Sequence, residues 1–247
     1  MTETKLIYNP SLPQALRQTQ EWAGKGYVAS LPQLIDLRLK SDTNSDFWTK
    51  GFATTTEEHV GKTKLGNSVL VTSHRTKIWT PERIEQAYNQ GLINGAGKLE
   101  EPEFYTLLDT DVQVTDLDKV QKLPSGRQSL DTLRKDTLFI LRAGSEERAN
   151  QYLDKLSEAD YLEYGNFHSL IEVNPDQPQG RLLFVDDYYN GFYDYGHLYG
   201  FGQFVGVRQA QNFSTGNLER ILALRKFVPE ILHKDFEAEA KKVLEEK

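Results

Sequence analysis

The sequence predicts an α/β or α+β protein: a mixed β-sheet with helices packed on it, a Gly/Tyr-rich antiparallel hairpin region in the C-terminal half, and a helical C-terminal tail. Three observations carry this. Strand-like stretches followed by capped helical stretches recur through residues 1–160, the pattern of helices laid on a sheet. Two short apolar runs, Ser68–Thr72 (SVLVT) and Thr137–Leu141 (TLFIL), are bounded by turn-forming residues and read as core strands. The stretch Gly180–Arg208 then concentrates acidic residues, tyrosines and phenylalanines between five internal glycines, a composition found nowhere else in the chain. The 247 residues read as one globular domain, with strand-helix units over 1–160, a β-rich region over 161–216 and a helical tail over 217–247.

In chain order, Lys5–Tyr8 reads as a strand that Pro10 ends. Ser11-Leu12-Pro13-Gln14 has the spacing of a capping box, in which serine and glutamine side chains satisfy backbone N–H groups that a first helical turn leaves free. Leu12, Ala15, Leu16, Thr19, Trp22 and Ala23 supply the buried face of that helix, and Gly24 and Gly26 end it. Tyr27–Ala29 is a second strand, after which Ser30-Leu31-Pro32-Gln33 repeats the cap. Ser41 to Gly66 is polar and reads as a long surface connection. Its Gly61-Lys62-Thr63 lacks the upstream glycine that a phosphate-binding P-loop needs, Thr56 standing there instead.

Thr80-Pro81 starts a helix running to about Leu92, Glu103–Leu108 is a shorter one, and Lys122–Arg127 is a loop. The TLFIL run is followed by Arg142-Ala143-Gly144-Ser145 and a helix to about Ser157. Arg181–Val185 and Phe204–Val207 are the last strands, and Asn190-Gly191 suits a tight type I′ turn between strands, since both residues tolerate positive φ.

Composition narrows the function classes. With no cysteine there is no disulfide, thiolate nucleophile or cysteine-ligated metal. A net charge of -7 argues against non-specific nucleic-acid binding, which rests on many Lys and Arg contacts to phosphates. No apolar run approaches the roughly 18 to 20 residues of a membrane span. The first residues, MTETKLIYNPSLPQ, lack the basic flank and apolar core of a signal peptide, so a cytoplasmic location is expected. No stretch matches a catalytic or cofactor motif, which leaves any cofactor, and the oligomeric state, unspecified.

Two candidate surfaces compete. The first is the set of loops after the SVLVT and TLFIL runs: Arg75, Arg142, Gly144 and Ser145, with His74 as a candidate catalytic base. Beyond strand C-termini, two guanidinium groups and a helix N-terminus would grip a small anion of the nucleotide or sugar phosphate class. Plain helix capping by Ser145 and solvation of the arginines account for the same residues without a ligand. The second surface is the segment 186–202. Asp186, Asp187, Asp194 and His197 do not fit a calcium loop, because Tyr188 and His197 fall where oxygen ligands belong. Asp187 and His197 could serve as an acid/base pair, or simply lie on a solvated hairpin. Tyr193, Tyr195 and their aromatic neighbours suit a glycan, peptide or partner protein, although alternation along a hairpin turns about half of such residues inward. His59, His168 and His233 have no partner at metal-ligand spacing and read as surface or core residues. The small anionic ligand, with or without catalysis, is the favoured reading; a non-catalytic recognition module built on 186–202 is the alternative.

Overall fold

Proline cannot donate to a β-ladder, and the first strand, β1 (Thr2–Asn9), ends just before Pro10 in the computed structural model. The structure describes residues 2–169, 173–186, 191–194, 198 and 202–209. The chain divides into two units, Thr4–Arg208 and Met1–Glu3 with Gln209–Lys247. The larger unit, Thr4–Arg208, carries both candidate surfaces, and the expected tail over 217–247 lies outside the described residues.

Helix α1 (Leu12–Ala23) buries Leu12, Ala15, Leu16, Thr19 and Ala23, the face its periodicity requires. Trp22 is half-buried instead, with the Lys5 and Arg208 cations over its ring. The two serine caps are not equivalent. At Ser11 no side-chain cap bond forms, and Asn9 Oδ1 accepts the Ser11 N–H at 2.9 Å. After β2 (Tyr27–Val28), the start of α2 (Leu31–Leu39) carries the full capping box, with the Ser30 N–H donating to Gln33 Oε1 at 2.9 Å. Ser30→Ala is therefore expected to cost about 1 kcal/mol in urea denaturation. Ser11→Ala is expected to cost only a few tenths, about the size of a neutral surface change.

The polar stretch expected as a surface connection is the first major departure. After the short α3 (Asp46–Thr49), residues Phe52–Lys62 form β3, the most deeply buried long strand described, with Thr54, Glu57 and His59 fully enclosed. Its polar side chains fit there because each meets a partner inside the fold. Strand β4 (Ser68–Ser73) pairs antiparallel with β3, as its apolar run predicts. Next come α4 (Pro81–Gln90), capped by Thr80 Oγ1 accepting the Arg83 N–H, then β5 (Gly97–Lys98), α5 (Glu101–Leu108), β6 (Gln113–Asp116), α6 (Leu117–Val120), β7 (Gly126–Ser129) and α7 (Leu130–Leu133).

The second departure is TLFIL, which is helical: α8 spans Thr137–Ala143. Asp136 Oδ1 accepts the N–H groups of Leu138 and Phe139 at 2.8 and 3.1 Å, and Gly144, at φ 83°, closes the helix in the left-handed region where glycine carries no Cβ penalty. The run is apolar throughout because it is buried on more than one side. Leu138 packs with Val60 and Leu70, while the Phe139 ring stacks on Phe192 at 4.8 Å. A short continuous apolar run does not distinguish a strand from such a helix. Helix α9 (Glu146–Glu158) follows, with Ser145 Oγ accepting the Arg148 N–H, and then β8 (Glu163–Phe167), β9 (Gln179–Asp186), β10 (Gly191–Tyr193) and β11 (Gly202–Gln209).

The strands form two sheets, one ordered β1-β11-β2 and one ordered β6-β4-β3-β9-β10-β8-β7, with β5 added against β9. The larger sheet is mixed: β10 runs parallel to β8 and antiparallel to β9, and the other pairings described in it are antiparallel. Helices and sheets enclose a core in which Phe52, Tyr152, Tyr164, Leu183 and Phe192 form one cluster and Leu16, Val71, Trp79, Phe104 and Phe204 another.

Candidate functional site

The residues expected to share one anion site do not line one groove. His74 and Arg75 leave the end of β4 and line a groove of about 480 Å³ with Gln20, Gly24, Tyr27, Gln33, Thr55 and Thr76. Arg142, Gly144 and Ser145 are not among its lining residues. Arg142 is fully buried in α8: Nε and Nη2 donate to Glu58 Oε1 and Oε2 at 2.8 and 2.7 Å, and Nη1 donates to Asn166 Oδ1 at 2.7 Å and the Phe167 carbonyl at 2.8 Å. That fork, aligned with a carboxylate already present, leaves the guanidinium nothing to offer a ligand. Gly144 is the helix C-cap and exposed Ser145 the next helix's N-cap, so both serve the turn between α8 and α9. The shift of TLFIL from strand to helix is what removes Arg142 from a strand end.

His74 stands at the groove wall half-buried, its Nδ1 3.3 Å from Thr56 Oγ1. Burial pushes its imidazole below the usual histidine range, against an upward pull from the Leu141 carbonyl and Glu58. Burial thus favours its uncharged form, and Arg75, exposed, is the cation among the residues lining the groove.

The second candidate surface rests on buried chemistry that the sequence does not announce. Asp194, one residue beyond β10, is fully enclosed, and both its carboxylate oxygens accept the Ser169 N–H at 3.1 Å. Arg181 of β9 donates to Ser169 Oγ at 2.6 Å and to the Asp194 carbonyl at 3.0 Å, while Arg142 Nη2 lies 3.6 Å from Asp194 Oδ2. Burial pushes the Asp194 carboxyl up, Arg181 and Arg142 pull it down, and Glu58 adds to the upward push. Asn166 Nδ2 donates to Asp136 Oδ2 at 3.0 Å, which extends the network to the cap of α8. Asp194 is thus an anchor of the segment rather than a group facing a ligand.

A second anchor is Leu198, fully buried, whose N–H donates to the Gly95 carbonyl at 3.1 Å and whose carbonyl accepts from the Tyr88 hydroxyl. Gly191 is no turn residue: it pairs with Asp186 across the β9–β10 ladder, so the connection is residues 187–190. A Cβ at Gly191 would come within 2.6 Å of Gly165 Cα, which is why glycine stands at this parallel β10–β8 contact. Tyr193 is half-buried edge-on to Phe167 at 5.7 Å between ring centroids. Asp186 ends β9. Asp187, Asn190, Tyr195 and His197, with Tyr188, Tyr189, Tyr199 and Phe201, lie outside the described residues. Among the described residues, no three His, Asp or Glu side chains converge as metal ligands would, and no helix is long and apolar enough to cross a membrane.

Glu57, Glu58, His59, Asp136, Asn166 and Arg181 organise this interior, and the first three are hidden in the sequence because they fall in a stretch that reads as surface loop. The β-branched content of ATTTEEHV, three consecutive Thr and a Val, is the available signal for a strand.

Comparison with known proteins gives one informative result. No protein-family model matches the chain, and no curated protein matches it. A solved structure, described as showing accommodation of massive sequence variation in Nanoarchaeota by the C-type lectin fold, is similar to it at 32% identity with a TM-score of 0.76, over 84% of this chain and 98% of the other.

Proposed function

Because the chain belongs to the C-type lectin fold family, we propose that it is a non-catalytic recognition module that binds a glycan, peptide or partner protein through the segment 186–202. The observation that carries this reading is the way the segment is tethered. Asp194 and Leu198 are both fully buried and bonded to the framework, one through Ser169 and Arg181, the other through Gly95 and Tyr88. Strands β9 and β11 flank the segment and bury Leu182, Leu183, Val185, Phe204, Val205 and Val207, while β10 within it buries Phe192.

A segment fixed at such points, with Phe192 of β10 as its own core contact, can vary around them without cost to the core, since the rest of the burial is carried by β9 and β11. The similar structure, described in terms of accommodating sequence variation, supports the same division between framework and variable surface. The positions around the anchors are rich in tyrosine, and Tyr188, Tyr189, Tyr195 and Tyr199 are the residues on which we place the contact. Tyrosine offers large amphipathic contact area with few rotatable bonds, the economy seen in antibody combining sites.

The test is to screen the immobilised protein against glycan and peptide arrays and repeat the measurement with Tyr188, Tyr189, Tyr195 and Tyr199 changed together to serine. Binding is expected to disappear while the melting temperature stays near that of the parent. Ligands retained in full by the serine variant would show that the surface lies elsewhere.

A further inference from the structure

The groove beside β2 is independent of that segment, and its chemistry is unusual for an acidic protein. None of its eleven lining residues is Asp or Glu, although the chain carries a net charge of -7. Its volume of about 480 Å³ falls in the range of small-molecule sites. The surface arginines Arg17, Arg83, Arg134 and Arg148 each meet a carboxylate. The exposed guanidiniums of Arg127 and Arg75 meet none among the described residues, and of these two only Arg75 lines the groove. Its backbone is nonetheless fixed, because Ser73 Oγ accepts the Arg75 N–H at 3.3 Å and donates to the Arg75 carbonyl at 2.8 Å.

Around it stand neutral polar groups. Gln33, in the first turn of α2, gives its Oε1 to the Ser30 N–H, which orients the amide and leaves the NH₂ side without a partner among the described residues. The N-terminal partial charge of α2 adds to the same side of the balance. Tyr27 and Thr76 line the groove as further hydroxyl donors, and at Gly24 the space a Cβ would take is open.

We infer that this groove is a second binding site, for a small hydroxylated anion such as a sugar phosphate, with Arg75 gripping the anionic group and Tyr27, Gln33 and Thr76 meeting hydroxyls. The site stands whether or not 186–202 has its recognition role.

The experiment is an amide-resolved NMR titration of the whole protein with inorganic phosphate and with glucose 6-phosphate. Saturable shifts are expected at Gly24, Gly26, Arg75 and Thr76, with the sugar phosphate binding more tightly than phosphate. Arg75→Ala should weaken binding about tenfold, equivalent to about 1.4 kcal/mol, and Arg75→Lys should recover part of it. Arg75 is exposed, so both variants are expected to fold, which their melting temperatures check. The four-tyrosine variant should bind glucose 6-phosphate like the parent, so failure here is distinguishable from failure of the recognition reading. Absence of saturable shifts in the groove at millimolar ligand, or binding indifferent to Arg75→Ala, would overturn the site.

Discussion

Replacing Arg142 with methionine is expected to lower the stability of the protein by about 3–5 kcal/mol, the usual result of breaking a buried ion pair by removing one partner. Methionine fills much of the arginine's volume, so the loss reports charge rather than a cavity. Glu58, which receives both arms of the guanidinium, would be left as an uncompensated carboxylate 3% exposed, and Asn166 and the Phe167 carbonyl would each lose a donor. Asp194 would lose one of the two cations that draw its carboxyl down. Changing Glu58 to leucine in the same protein should restore part of the stability, because an apolar pair of similar volume no longer carries a buried charge. Urea denaturation of the two single variants and the double gives the coupling. A double variant no more stable than Arg142→Met alone would mean that Asn166 and Phe167, not Glu58, account for the arginine.

That network also marks where the sequence is legible and where it is not. Helices with one apolar face and a recognisable cap, such as α2, α4 and α9, announce themselves, because period and cap chemistry are local, and α1 does so by period alone. So does β4, a β-branched run closed by turn residues. β3 does not, since its Thr and Glu residues are acceptable in the interior only through partners more than twenty positions away: Glu58 reaches Arg142 and Glu57 reaches Trp79. TLFIL misleads for a related reason. Its apolar residues face two clusters, so no polar face betrays the helical period, and the deciding signals are Asp136 before it and Gly144 after it. The expectation of a strand-end anion site depends on that strand. His74 and Arg75 stay together because β4 is the strand its residues predict, whereas Arg142 turns inward with its helix. The segment 186–202 stands out by composition alone, and its buried Asp194 cannot be told from its neighbours, because the arginines that hold it lie at positions 142 and 181.

Glu57→Ala is expected to be comparably severe, again about 3–5 kcal/mol, by a different route: each buried group left unpaired costs about 1–3 kcal/mol, and this change strands several. Adjacent strand residues point to opposite faces, so while Glu58 meets Arg142, Glu57 turns toward the chain entering α4. Its carboxylate, fully enclosed, accepts the N–H groups of Lys77 at 3.1 Å, Ile78 at 3.2 Å and Trp79 at 2.7 Å, and lies 3.0 Å from His59 Nε2. Those three consecutive amides lie between β4 and α4, and one carboxylate satisfies them together. His59, stacked on Trp79 at 6.0 Å, loses its partner as well. Glu57→Gln keeps one acceptor oxygen but brings an NH₂ group against backbone donors, so a smaller loss of about 1–3 kcal/mol is expected. Hydrogen exchange supplies the local reading. Amides 77–79 should exchange faster in Glu57→Gln by more than the global loss of stability explains, with the β8–β10 ladder unaffected beyond it. If exchange rises uniformly across the protein, the carboxylate is not a local clamp on this loop, and its burial matters only to the sheet.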